Sequence, residues 1–365
     1  MSGIMAVSPE IINIIVSHLA PESVVAFALT CRGFYQQQMP SSLHLEEQQK
    51  STLLLWLEQD IPHLYFCHRC NRLHVWRPRF VCDGHVARFD GDCRVFWQDP
   101  RAFDAWYDLG FYAARLVLNR HLYGEAHGPA LEETLNLSDD IPSFDEDGVR
   151  IKRAWEARII DNELFLHATI QIYHDRGCAH SLRSHLDHPA CFTTHTACHH
   201  VGLVKASMVS YKSRLPELDR DSGSPALFAP LSGQLKSCRV CYTDYRVDIK
   251  QHCASNGTAS PNWVIVIQRW HQLGQCRSPK DGKWDNLVAW PCRKVLLPRI
   301  DVCEAGTVYW KWMIHDGEAS ASDREGAEKV RLGAQFAEPP AKEPWRLVDK
   351  IGTSLTFAIM LLNLA

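Results

Sequence analysis

Arg153-Ala-Trp-Glu-Ala-Arg-Ile-Ile-Asp-Asn-Glu-Leu-Phe-Leu-His-Ala-Thr-Ile-Gln-Ile172 is the stretch that decides the fold class. Trp155, Ala157 and Ile159 alternate with polar residues. Leu164, Leu166, Ala168, Ile170 and Ile172 alternate again after Asp161-Asn162. A period of two puts every second side chain on one face of a strand, and a two-residue Asp-Asn step suits the tight turn of a hairpin. This reads as an antiparallel pair with one buried face. A second pair follows: Tyr245, Val247 and Ile249, a loop through Asn256-Gly257, then Trp263 to Trp270, which is apolar enough to be buried on both faces.

Helical periods lie upstream of the hairpin. Ala102 to Leu122 carries Phe103, Trp106, Tyr107, Ala113, Ala114, Leu116 and Val117 at helical spacing, and Leu53-Leu54-Leu55-Trp56-Leu57-Glu58 reads as a shorter apolar helix. Between them and the strands, Gly124 to Gly148 is acidic (Glu125, Glu132, Glu133, Asp139, Asp140, Asp145, Glu146, Asp147) and reads as a solvated loop. The expected fold is therefore α+β, with a small N-terminal helical module (1–45) followed by a mixed helix and antiparallel-sheet domain (50–310). A Gly-, Ala-, Ser-, Glu- and Pro-rich linker (316–345) and an apolar segment (346–365) come after it. That last segment is shorter than the ~20 residues a membrane helix needs, so a membrane role is not expected.

Bulk composition narrows the function classes. With 365 residues, 46% hydrophobic, 22% charged, a net charge of -3 and 12 Trp, the chain is globular rather than disordered. It also lacks the basic excess that broad nucleic-acid binding needs. No secretory signal opens the chain: Met1 to Val7 has no basic n-region. The 14 Cys are accordingly read as reduced thiols of the cytoplasm or nucleus, some of them metal ligands, rather than as disulfides. No Gly-rich phosphate loop, G-x-S-x-G elbow, H-E-x-x-H or deaminase H-x-E…P-C-x-x-C pattern occurs, so a non-catalytic role is expected.

Three segments concentrate thiols and imidazoles. The first is Cys67-His-Arg-Cys70, with His74, Cys82, His85 and Cys93 following. The second spans His174 to His200, where ten Cys or His fall in 27 residues, among them Cys178, His185, Cys191, His195 and Cys198. The third is Cys238-Arg-Val-Cys241, set before the alternating strand of Tyr245, Val247 and Ile249. A C-x2-C turn holds two thiolates on one knuckle, which is half of a tetrahedral zinc site. The ligands expected for structural zinc are Cys67, Cys70, Cys238 and Cys241. Either the two pairs share one ion, or Cys191 and Cys198 complete a site with one of them. Spacing alone leaves this open.

At the N-terminus, Ser8-Pro9-Glu10 reads as a helix start, with Ser8 at the cap, Pro9 in the first turn and Glu10 at the positive dipole end. Ile11, Ile12, Ile15, Val16 and Leu19 follow at helical spacing. Pro21 begins a second helix carrying Val24, Val25, Ala28 and Leu29, and Thr30-Cys31-Arg32-Gly33 closes it before Phe34-Tyr35. Helices this short cannot bury so much aliphatic surface against one another, which points either to a partner or to a larger core.

The run from Met5 to Tyr35, about a tenth of the chain, resembles the F-box: a Pro-Glu opening, a branched-aliphatic helix, a proline break and a Thr-Cys-Arg close. The family's Leu-Pro step is here Val7-Ser8-Pro9. The resemblance implies docking on a Skp-type adaptor, through it on a cullin-RING ubiquitin ligase, and recognition of an unidentified protein substrate by the rest of the chain. It assigns Pro9, Ile11, Ile12, Ile15, Leu19, Val24 and Leu29 to the adaptor-facing surface. The wider arrangement is similar to a group of fungal F-box proteins, through Cys67/Cys70/Leu73/His74, Ala157-Arg158…Asp161-Asn-Glu163-Leu164 and Cys238/Cys241/Thr243/Asp244/Tyr245. The competing reading from the residues is a zinc-stabilised interaction scaffold whose N-terminal helices are structural and which has no ligase role.

Overall fold

The hairpin of period two forms as expected. The computed structural model describes residues 7–30, 32–38, 44–76, 109–142, 148–187, 195–198, 200–203, 227–252, 262–288 and 306–315. They fall into two units, one within Met1–Trp76 and one within Arg94–Glu338. The fold class is mixed α+β.

In the N-terminal unit, α1 (Pro9–Ser17), α2 (Pro21–Leu29), α3 (Arg32–Gln38) and α4 (Glu47–Asp60) precede a hairpin of β1 (Leu64–Cys67) and β2 (Arg72–Val75). Both of the first two helices begin with proline at the position where a missing N–H costs nothing. Ser8 stands at the N-terminal boundary of α1 without capping it. Its hydroxyl bonds the Glu10 carboxylate instead, which together with a backbone N–H lowers that group's pKa. Glu46 and Gln49 form a reciprocal capping box at α4. Val25 of α2, Leu53, Leu54 and Leu57 of α4, and Leu64, Phe66 and Leu73 of the hairpin form one buried core. Among the described residues the first unit runs on to Trp76 instead of closing at residue 45, because α4 and the hairpin bury against Val25 of α2.

The second unit is built on a six-stranded antiparallel sheet. Its strands are β3 (Leu137–Pro142), β4 (Val149–Ile160), β5 (Glu163–His174), β8 (Lys236–Ser237), β9 (Thr243–His252) and β10 (Asn262–Gly274), in the spatial order β3-β4-β5-β10-β9-β8. A separate two-stranded ribbon pairs β6 (Thr196–Cys198) with β7 (Val201–Gly202). The helices are α5 (Phe111–Tyr123), α6 (Leu131–Leu135), α7 (Ala179–Asp187), α8 (Gly282–Val288) and α9 (Thr307–His315).

Asp161 and Asn162 turn the β4–β5 hairpin with φ of 53° and 60°, the left-handed pair that a two-residue turn needs and that Asp and Asn tolerate. The register sets Trp155, Ala168 and Arg269 side by side, and likewise Ile170, Ile267 and Val247. These residues belong to the buried face. Trp263 to Trp270 alternates in burial over most of its length. Both faces are covered only from Arg269 to Gly274.

Two expectations change in this unit. The acidic stretch is not all loop, since Leu137–Pro142 pairs with β4. Asp140 and Asp139 there receive the guanidinium groups of Arg150 (3.0 Å) and Arg153 (2.8 Å), so strand pairing neutralises charges that read as solvated. The helix expected over Ala102–Leu122 is seen as α5, and its residues Phe111 to Asn119 are all buried. Residues 102–108, the Asn256-Gly257 loop, the linker 316–345 and the apolar 346–365 lie outside the described residues. Among the described residues no helix is long and apolar enough to cross a membrane.

The opposite sheet face is covered at one end by α9. There Ile160, Phe165 and Trp270 pack with Val308 and Trp312. His167 stacks flat on Trp270 (centroids 4.9 Å, 4° between planes) and meets Trp312. Burial in this aromatic slot lowers the His167 pKa from 6.5 to about 4. With the folded pKa below the unfolded one, the unfolded chain takes up the proton first. His167 therefore costs nothing above pH ~6.5, and it destabilises the fold progressively as pH falls from 6.5 toward 4. Urea unfolding at pH 7 and pH 4.5 should show that His167→Gln removes about 2–3 kcal/mol of the acid-induced loss seen in the wild type; equal losses in both proteins would refute it.

Candidate functional site

The second unit gathers a buried cluster from chain segments far apart in sequence. Cys198 ends β6, and His200 stands in the turn to β7. Cys238 and Cys241 occupy the turn between β8 and β9. One ligand atom from each of the four lies within 4.8 Å of all the others. The Cys238–Cys241 turn is a knuckle by its own hydrogen bonds. Cys238 N donates to the Thr243 carbonyl and Thr243 N to the Cys241 carbonyl, both at 2.8 Å, and Val240 N points at Cys238 Sγ at 3.3 Å. The ribbon that brings Cys198 is pinned by Arg269 of β10. Its guanidinium lies over the Trp155 ring (4.7 Å) and donates to the Thr196 carbonyl at 2.8 Å.

Three thiols packed this closely compete for charge. Hydrogen bonds from Cys198 and Cys241 hold the Cys238 thiol far below the usual thiol range, while burial pushes the Cys198 and Cys241 thiols up. A divalent cation bound by all three sulfurs and the imidazole removes that competition, because it stabilises thiolate at each position. The cluster can hold a metal ion, and its four protein donors fill a tetrahedral shell. Such a closed shell braces structure rather than activating water.

A second layer orients one of these donors. Thr243 Oγ1 lies 3.2 Å from Cys241 Sγ and 2.9 Å from His271 Nδ1, all three residues being buried. With Cys241 as a metal thiolate, an acceptor only, the Thr243 hydroxyl donates to sulfur and accepts from His271 Nδ1–H.

Of the sites expected from spacing, Cys238, Cys241 and Cys198 come together, joined by His200. Cys191 lies outside the described residues. Cys67 and Cys70 are brought together within the N-terminal unit. They form their own group with His74, in which Cys70 Sγ is 3.1 Å from Cys67 Sγ and 3.0 Å from His74 Nε2. The β1–β2 turn closes locally on α4, where the Ser51 hydroxyl donates to Asn71 Oδ1 at 3.0 Å. His185 and His195, from the same Cys/His-rich tract as Cys198, face each other with Nε2 atoms 3.1 Å apart.

The N-terminal helix is sorted differently from the resemblance. Pro9, Ile11, Ile15 and Leu19 are exposed, but Ile12 is only 4% exposed and belongs to the interior. Val24 is half-buried, and Leu29 packs against the core around Val25. Ile14, which the resemblance passed over, is the most exposed of the row at 60%. At 100° per residue the isoleucines and Val16 of α1 cover an arc of about 200°. A core-facing stripe needs about half that width. The arc was legible in the sequence, and its surplus had to face outward. Ile12 and Val16 take the inner part, leaving Ile11, Ile14 and Ile15 outside.

Comparison of the chain with protein-family models, with curated proteins and with solved structures gives no match in any of the three.

Thr243→Val, which keeps shape and deletes the hydroxyl, should weaken metal binding at the four-ligand cluster about 10–100-fold, the usual cost of losing an outer partner. Competition with a chromophoric chelator measures it, and an unchanged affinity would show that the Cys241–Thr243–His271 chain does not support the ligand.

Proposed function

We propose that this protein is a non-catalytic substrate-recognition subunit of a Skp–cullin–RING ubiquitin ligase, docking on the Skp-type adaptor through its N-terminal helices and holding a target protein through the sheet domain. The observation that carries the reading is the outer face of α1. Ile11, Ile14 and Ile15 stand exposed on a helix whose inner side is packed through Ile12, and Leu19, just past its C-terminal end, adds a fourth exposed aliphatic; the four are from 37% to 60% exposed. Aliphatic surface of this extent on a small module marks a partner site. The proline-started helix pair and the F-box resemblance of Met5 to Tyr35 supply the kind of partner.

We assign zinc to the Cys198–His200–Cys238–Cys241 cluster. A borderline-soft, redox-inert ion that accepts tetrahedral thiolate and imidazole ligands fits three sulfurs and one nitrogen. Its role is to clip the β6–β7 ribbon to the sheet edge, and so to shape the target-binding domain. This cluster also favours the second reading, a zinc-stabilised interaction scaffold without a ligase role, because a zinc brace requires no ubiquitin machinery.

Capture of a purified Skp adaptor by the full chain separates the two. Ile11→Glu with Ile15→Glu places charge on the exposed row and leaves the buried Ile12 untouched. The expected outcome is loss of capture by more than 100-fold (about 3 kcal/mol) with circular dichroism unchanged. Capture undiminished by the double substitution, or no capture by the wild type, would favour the scaffold.

A further inference from the structure

We propose that Cys67, Cys70 and His74 are a second, independent metal site, one that binds a zinc-like cation and holds the N-terminal unit in its folded form. Three observations lead there. The three donors converge within 4.8 Å, with both thiols turned toward each other and His74 presenting Nε2 to Cys70. No disulfide joins Cys67 to Cys70. Their sulfurs stand 3.1 Å apart, about an ångström beyond a covalent S–S bond and within about 0.7 Å of the ~3.8 Å edge of a tetrahedral zinc thiolate pair. Finally, the imidazole is positioned by its neighbours, since the ring of Tyr65, cross-strand partner of His74, lies 5.7 Å from it.

The physical need for an ion is local. β1 and β2 have four residues each, and a two-stranded hairpin of that size is marginal by itself. Yet the same hairpin supplies Leu64, Phe66 and Leu73 to the core that also holds Val25 and α4. Phe66 N donates to the buried Glu58 carboxylate at 3.1 Å, and Asn71, with φ of 49°, ties the turn to α4. An ion bound by Cys67 on β1, Cys70 in the turn and His74 on β2 cross-links both strands at the position where the turn would otherwise fray. Two thiolates and one imidazole are a zinc-selective donor set. Binding releases the thiol protons to solvent, with no change of oxidation state. The site differs from the four-ligand cluster in exposure, because Cys67 is buried while Cys70 and His74 are half-exposed. It should therefore exchange metal faster.

Elemental analysis of the full chain, purified without chelator, tests this without any partner protein. The wild type should hold about two zinc equivalents per chain, one for each group of donors. Cys70→Ser and His74→Gln should each lose about one, Cys238→Ser with Cys241→Ser should lose the other, and His74→Cys, which restores a ligand, should keep both. Hydrogen exchange should rise at Phe66 and Leu73 in Cys70→Ser and stay unchanged in α5. If Cys70→Ser fails to fold, cobalt added to the protein carrying Cys238→Ser with Cys241→Ser should still give thiolate-to-metal charge-transfer absorption. Zinc content in Cys70→Ser equal to the wild type's, absence of that absorption, or a Cys67–Cys70 disulfide in the purified chain would each overturn the proposal. None of these readouts depends on adaptor capture, so this site and the ligase reading fail separately.

Discussion

The buried guanidinium of Arg269 is the interaction on which the sheet domain's chemistry depends. A charge at 1% exposure is costly unless its donors are used, and here the plane lies over Trp155 while Nη1 serves the Thr196 carbonyl. That one hydrogen bond joins the central strand of the sheet to a ribbon only a few residues long. It adds to the burial of Ala197, Cys198, Val201 and Leu203 in holding the ribbon where Cys238 and Cys241 turn, so that Cys198 and His200 converge with them. The central strand can carry this load because it is paired on both sides, to β5 and to β9, over most of its length.

The two groups of donors show how context divides one ligand chemistry into two kinds of site. The Cys198–His200–Cys238–Cys241 cluster draws on segments roughly forty residues apart and is largely buried, so its donors are positioned by the whole domain. The Cys67–Cys70–His74 group lies within eight residues of one hairpin, which packs on α4 and a small core. A cation at the first closes a shape the fold already makes. At the second it supplies stability that four-residue strands lack.

A similar division runs through the N-terminal helices. α1 has more apolar surface than its neighbours can cover, and geometry decides which residues are spent inward. Ile12 goes to the interior while Ile11, Ile14 and Ile15 stay in solvent. The residues that make the module fold and those that can hold a partner are thus different members of one stripe. Substitutions at Ile12 test stability, and substitutions at its neighbours test recognition.

Much of this was settled by local pattern. The alternation from Arg153 to Ile172 and the Asp161-Asn162 turn determined the central hairpin, because a period of two and a left-handed turn are properties of adjacent residues. Pro9 and Pro21 determined two helix starts for the same reason. The Cys238 knuckle was visible because a C-x2-C turn is a local motif. Only tertiary structure decided the rest. Leu137–Pro142 is a strand because β4 offers hydrogen bonds and arginines to its aspartates. His200 joins the three thiols because a ribbon folds back across the sheet. The Cys67–Cys70 turn is held where Asn71 meets Ser51 of α4. Each of these rests on a contact between residues distant in the chain, which no local spacing encodes.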